Sequence, residues 1–244
     1  MFAPYRPTSL IATLFVLSLL PAQATNSLKV LLDTSTEMPM AELRGNRLTA
    51  GLHHDVGQAL AAELGRTAQF IVLPRKRLSS ALESGEADLM CHYLPDWLPG
   101  KLGWSTPFLP NAELLISDRR EPRPAALTAL ANIPIGTVLG FAYPELDKAL
   151  GRDFRREDAP SSGANLRKFA AGRVQHAVVN QLFLAYQQRQ GHFKAALHPA
   201  LIIRPYQAQC AVSPKGSVSL AEVNRAIAAL QARDAITPLF ARYR

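Results

Sequence analysis

No G-x-S-x-G, H-E-x-x-H, P-loop or C-x-x-C pattern occurs in the 244 residues. The common local signatures of a serine hydrolase, a zinc protease, an NTPase and a dithiol redox protein are therefore missing. Cysteine is scarce: Cys91 and Cys210 are the only two. Histidine is scarce as well, and its one cluster is His53-His54-Asp55. Adjacent residues on a helix point apart, so that cluster is a poor metal site, and Asp55 reads as a partner of the helix dipole. Cys91 and His92 are neighbours in a strand and face opposite sides, which excludes them as nucleophile and base. Charged residues amount to 19% against 48% hydrophobic, which excludes general disorder. Basic residues outnumber acidic ones, 27 to 19, yet they are scattered and form no basic helix with interleaved aromatics. That argues against a nucleic-acid partner.

What is present begins with an export signal. Arg6 and the free amine form a positive start, residues 10–20 are apolar apart from Thr13 and Ser18, and Pro21 ends the run. Ala22-Gln23-Ala24 then supplies a small-x-small cleavage site, so residues 1–24 are read as a cleaved signal peptide. The apolar core is too short to span the ~30 Å of a bilayer interior. The mature chain is expected to be soluble and periplasmic. In that oxidising setting Cys91 and Cys210 are either one disulfide or two buried thiols, and their spacing does not decide.

Along the mature chain, 28–32 (LKVLL) reads as a buried strand, followed by a polar loop through Pro39 and Gly45-Asn46. A helix is predicted over 53–64, a strand over 69–73, a helix over 77–84 and a strand over 87–91. This β-α-β-α-β alternation predicts a parallel α/β layer. A loop over 94–111 leads to a strand at 113–117, and the charged, Pro-rich stretch 118–124 marks a boundary. Beyond it strands are predicted at 133–139, 154–158, 177–180, 201–203 and 209–213. Helices are predicted at 144–150, 164–171, 181–190 and 219–232, the last with Ser219 and Glu222 as a capping box. SALESGEADLM (80–90) and RKFAAGRVQHAVV (167–179) repeat one helix-Gly-strand unit on either side of the boundary. That repeat predicts two similar α/β lobes. Charge divides along the same line: 8 basic and 11 acidic residues lie in 25–118, but 13 and 6 in 119–206. The middle segment is thus a cationic body, either a solvated Arg surface or an attractive field for an anion.

The ordered set LKVLLD, GLHHDVGQALAAELG, RLSSALESGEADLM, WSTPFLPNAELLIS, IPIGTVLG, NLRKFAAGRVQHAVVN and CAVSPKG resembles the periplasmic solute-binding proteins of family 3, the polar amino acid type. The resemblance covers nearly the whole mature chain. It implies an α/β, two-lobed type II periplasmic-binding-protein-like fold, each lobe a mixed sheet flanked by helices, joined by two hinge strands. Lobe 1 would comprise 25–117 and 209–244, and lobe 2 would comprise 118–208. Residues 113–117 would be the outgoing strand, and 209–212 the return strand lying antiparallel beside the third strand of lobe 1. That placement implies a Cys91–Cys210 disulfide.

The resemblance also implies an activity: a monomer that closes on a small polar solute and presents it to an ABC permease or a membrane-bound sensor, with no cofactor and no catalysis. An enzyme of the cyclohexadienyl dehydratase type on the same fold is the alternative. Ending at Arg244, the chain is expected to carry no further catalytic or kinase domain. Family members that bind amino acids grip the carboxylate with an Arg before the segment that here reads WSTPF, yet 89–117 contains no Arg. They also hold the ammonium with an Asp at the end of a lobe 2 strand, where Asn180 stands. A standard free amino acid is therefore not the expected ligand. The candidate contacts are Glu37 and Met38 after the first strand, and Arg75 and Arg77 after the second, where guanidinium groups could fork an anion. Tyr93 and Trp97 follow the third strand, at carboxyl ends where α/β sheets bind ligands. Phe141, Tyr143 and Asn180 complete the set from lobe 2.

Overall fold

The computed structural model describes residue 1 and residues 26–243; the predicted signal peptide over 1–24 lies outside the described residues, Met1 apart. Strand β1 (Ser27–Asp33) leads through a short hairpin, β2 (Glu42–Arg44) and β3 (Arg47–Ala50), into helix α1 (Leu52–Glu63). Strand β4 (Thr67–Leu73), helix α2 (Leu78–Ser84) and strand β5 (Leu89–Tyr93) follow. Two residues, Gly103–Trp104, form β6, and β7 (Leu109–Ser117) carries the chain out. The second half contains β8 (Pro134–Val138), α3 (Pro144–Leu150), β9 (Arg155–Ala159), α4 (Ser162–Ala170), β10 (His176–Asn180) and α5 (Gln181–Arg189). The chain returns along β11 (Leu201–Val212) and ends in α6 (Leu220–Ala232) and α7 (Ile236–Ala241).

The strand order is β4-β1-β5-β11-β7-β10-β8-β9, with β6 also on β11. β1 runs parallel to both β4 and β5, as the alternating pattern predicts. β8 likewise runs parallel to β9 and β10. Between these parallel groups lie the long β7 and β11, antiparallel to one another over Leu109–Leu115 and Leu201–Ala208. Each half of the sheet has apolar cores on both faces. In the first half, α1 and α6 pack Leu52, Leu60, Val223 and Ile227 on one face, and α2 packs Leu78 and Leu82 on the other. In the second half, α4 and α5 bring Phe169 and Phe183 to one face, and α3 brings Leu146 and Leu150 to the other. This is the two-lobed α/β architecture expected from the sequence.

Local sequence explains the element ends. Ser219 and Glu222 form the reciprocal capping box at the start of α6. The repeated helix-Gly-strand unit appears as α2-β5 and α4-β10. Gly85 (φ 83) and Gly172 (φ 71) each adopt the left-handed conformation that stops the helix before the strand. Three readings change. Residues 94–111, expected as loop, contain β6 and the first residues of β7. Residues 42–50, expected as loop, form the β2–β3 hairpin around Gly45-Asn46. The strands expected at 201–203 and 209–213 are one continuous strand, with a register shift between Ile202 and Arg204.

Cys91 on β5 faces Cys210 on β11 in register, and the two are bonded. The bond closes a loop with a sequence separation of 119 that holds the whole second half of the sheet. In the chain-entropy model a loop of that length contributes about 4–5 kcal/mol. Unfolding by denaturant with and without reductant should therefore show a loss of that order in the reduced protein. Equal stability, or two alkylated thiols in unreduced periplasmic protein, would contradict the bridge.

Candidate functional site

The carboxyl ends of both parallel strand groups open on one space. A cavity of about 130 Å³ lies there, walled by Arg75, Tyr93 and Trp97 from the first half and by Phe141, Ser162 and Asn180 from the second. Glu113 and Tyr206, on the two long strands, form its floor. Of the nine residues singled out in the sequence, Glu37, Arg75, Tyr93, Trp97, Phe141, Tyr143 and Asn180 border this cavity, and Met38 and Arg77 do not. Arg75–Arg77 form one turn of 3₁₀ helix, so residues two apart diverge, and Arg77 turns outward to Glu86 at 3.2 Å. Met38 contributes its backbone instead: its carbonyl accepts a hydrogen bond from Gln187 Nε2 of α5 at 3.1 Å. Tyr143 borders the cavity but is only 3% exposed; its hydroxyl accepts from the Val138 N–H at 2.9 Å, so it packs more than it faces solvent.

Charged groups at the cleft are engaged across it. Arg75 Nε donates to the Gly140 carbonyl at 2.7 Å, and Nη1 reaches Asp33 Oδ2 at 3.3 Å and the Tyr93 hydroxyl at 3.2 Å. The guanidinium also lies 4.2 Å from the centroid of the Phe141 ring. Glu37 Oε2 accepts from the Gly163 N–H at 2.6 Å, in the first turn of α4, where the helix dipole favours a negative charge. A Cβ at 163 would stand 2.8 Å from Glu37 Oε1, so a larger residue there requires the carboxylate to shift. Asn180 is consumed internally. Its Oδ1 accepts from Asn111 Nδ2 and from the Phe183 N–H, and its Nδ2 donates to the Tyr206 hydroxyl at 2.7 Å. Asn111 Nδ2 also donates to His92 Nε2 at 3.2 Å, so a chain of polar groups runs from His92 to Tyr206 beneath the cavity.

Glu113 is the residue that the sequence reading missed. It is 8% exposed, and its carboxyl makes no hydrogen bond or ion pair among the described residues. Burial pushes it up to about 7, opposed by Arg204 and reinforced by Asp96 and Glu145. Arg204 is its cross-strand neighbour in register but turns to Asp96 at 2.5 Å. A lone acid inside the apolar run AELLIS was the available signal, since an unpaired buried carboxyl is rare. His53 and His92 also border the cavity, and burial lowers them to about 4 and about 3, so both are neutral at ordinary pH. His92 adopts a positive φ of 67° at the end of β5. The Trp97 indole N–H is buried without an acceptor among the described residues, its ring edge-on to Tyr206 at 5.0 Å. No group of three or more His, Cys, Asp or Glu able to hold a metal occurs among the described residues. Among them, no helix is long and apolar enough to cross a membrane.

The chain matches no protein-family model and no curated protein. Solved structures do match it. An ancestral arginine-binding protein bound to arginine is 17% identical with a TM-score of 0.73, covering 89% of this chain and 98% of its own. An ancestral amino acid-binding protein, a precursor of cyclohexadienyl dehydratase, is 15% identical with a TM-score of 0.72, covering 89% and 95%. A histidine kinase sensor domain with similarity to periplasmic binding proteins is 20% identical with a TM-score of 0.71, covering 89% and 95%. Likeness at these identities is likeness of fold, the two-lobed periplasmic-binding-protein-like one.

The Glu113 environment has a consequence for stability. A carboxyl raised from 4.5 to about 7 on folding costs nothing below its unfolded value and its full amount above 7. Glu113→Gln should therefore be more stable than wild type by about 3 kcal/mol at pH 8, with the gap closing as pH falls to 4.5. Denaturant unfolding across that range checks it; a gap that widens towards acid would contradict it.

Proposed function

We propose that this chain is an extracytoplasmic binding protein, of the family 3 polar amino acid type in architecture, which closes its two lobes on a small polar solute. Lobe 1 is 25–117 with 209–244, lobe 2 is 118–208, and β7 and β11 are the hinge. The closed form is what an ABC permease or a membrane-bound sensor reads. The protein acts as a monomer after export to the periplasm. The disulfide and the binding and sensor proteins among the solved neighbours support this placement.

One observation carries the reading. The cavity takes its walls from both lobes, and side chains of one lobe bond the backbone of the other on either side of it, Arg75 to Gly140 and Glu37 to Gly163. A ligand in that space touches both lobes and shifts the equilibrium towards closure. The neighbour with an enzymatic descendant is itself described as amino acid-binding, which favours binding over a dehydratase-like reaction.

The direct test is a thermal-shift screen of the mature chain against small polar solutes, where a ligand at 100 times its Kd adds ~2.7 kcal/mol. Solutes that shift melting and then compete with one another support the reading; a flat response across all classes opposes it. Because Asn180 and Arg75 are already engaged, none of the twenty standard amino acids should bind with micromolar Kd, and tight calorimetric binding of one would contradict this. Glu37→Ala should remove the contact to the start of α4 and weaken the affinity for an active solute about tenfold, the loss of one charge-assisted hydrogen bond. Unchanged affinity would remove Glu37 from the closing mechanism.

A further inference from the structure

The charges at the cavity do not cancel evenly. Arg75 is matched by Asp33, and Glu37 rests on the start of α4. Glu113 alone is charged, buried and without a partner among the described residues. We infer that the cavity takes a small organic cation lacking a carboxylate, with its ammonium against Glu113 and among the aromatic rings. This rests on the binding reading above and names the ligand class for that site.

An anion has no counterpart here. The Arg75 guanidinium is held by Asp33, Tyr93 and Gly140 at once, and His53 and His92 are neutral. A zwitterion fails for a related reason. The helix N-terminus that would take its carboxylate is already occupied by the carboxylate of Glu37 at 2.6 Å. A cation is met by Glu113 and by the rings of Trp97, Phe183 and Tyr206, while Tyr93 and Phe141 carry the Arg75 guanidinium. Ring faces attract cations, most strongly where water is excluded, and Phe141 already holds the Arg75 guanidinium in this way.

The arrangement fixes the sign of the pH dependence. Glu113 is met by Arg204 of β11, itself tied to Asp96, by Glu145 of α3, and by the neutral phenols of Tyr143 and Tyr206. A bound cation favours the ionised carboxylate, so affinity should rise as pH passes upward through about 7, and binding below that pH should release a proton.

The experiment is calorimetry at pH 8 and pH 6 with tetramethylammonium, choline, the neutral choline isostere 3,3-dimethylbutan-1-ol, succinate and arginine. Both cations should bind wild type at pH 8, about tenfold more weakly at pH 6. The isostere should bind at least about tenfold more weakly than choline. Glu113→Gln should lose choline affinity and its pH dependence while melting no lower than wild type at pH 8. Failure of both cations, an isostere as tight as choline, or tighter binding at pH 6 would overturn the inference. If succinate, arginine or the isostere raises the melting temperature and the cations do not, the cation assignment falls and the binding reading stands. If no solute of any charge does so, both fall.

Discussion

From Leu201 to Ala208, β11 pairs antiparallel with β7, and from Gln209 to Val212 it pairs with β5. One strand therefore satisfies its backbone groups in two half-sheets, and the Cys91–Cys210 bond fastens it where it enters the first. The long β7 makes the opposite passage, from the β11 ladder to β10. The apolar clusters of the two halves are largely distinct, with Leu182 of α5 joining the first. In the proposed mechanism the two lobes turn about these crossing strands, and Arg75–Gly140 and Glu37–Gly163 are the contacts across the cleft.

The cleft is built by the same constraint. The strands that cross between lobes must run through its floor, and they bring Glu113 and Tyr206 with them. Placing an acid on a crossing strand is costly in isolation, since burial disfavours its charge. The surrounding polar groups do not relieve it: His92, Asn111, Asn180 and Tyr206 bond one another instead. The cleft holds an internally bonded network beside the unpaired Glu113 carboxyl and the unpaired Trp97 N–H.

Much of the fold was legible because periodicity and caps agree. β1 is a short apolar run, α3 begins at Pro144 as read, and α6 carries its capping box. The β2–β3 hairpin was not legible, because strands of three and four residues carry too little alternation to stand out from a polar loop. β11 was read as two strands; in the structure Pro205, which lacks a donor, sits opposite Ala112 and the strand continues through it. At the cleft, loops after strand ends were readable, which brought out Arg75, Trp97 and Phe141. Which of Arg75 and Arg77 turns inward depends on a single turn of 3₁₀ helix, and no sequence pattern sets that. The lone acid in AELLIS marked Glu113, but its place at the cavity depended on β7 crossing beneath it.

The central claim is that two lobes close about β7 and β11 on a solute held between them. Small-angle X-ray scattering of the oxidised mature protein tests it most directly, recorded without solute and with the one that raises the melting temperature most. The account predicts a smaller radius of gyration and a narrower pair-distance distribution in the saturated protein, with secondary structure unchanged. Identical scattering curves under saturating solute would contradict it.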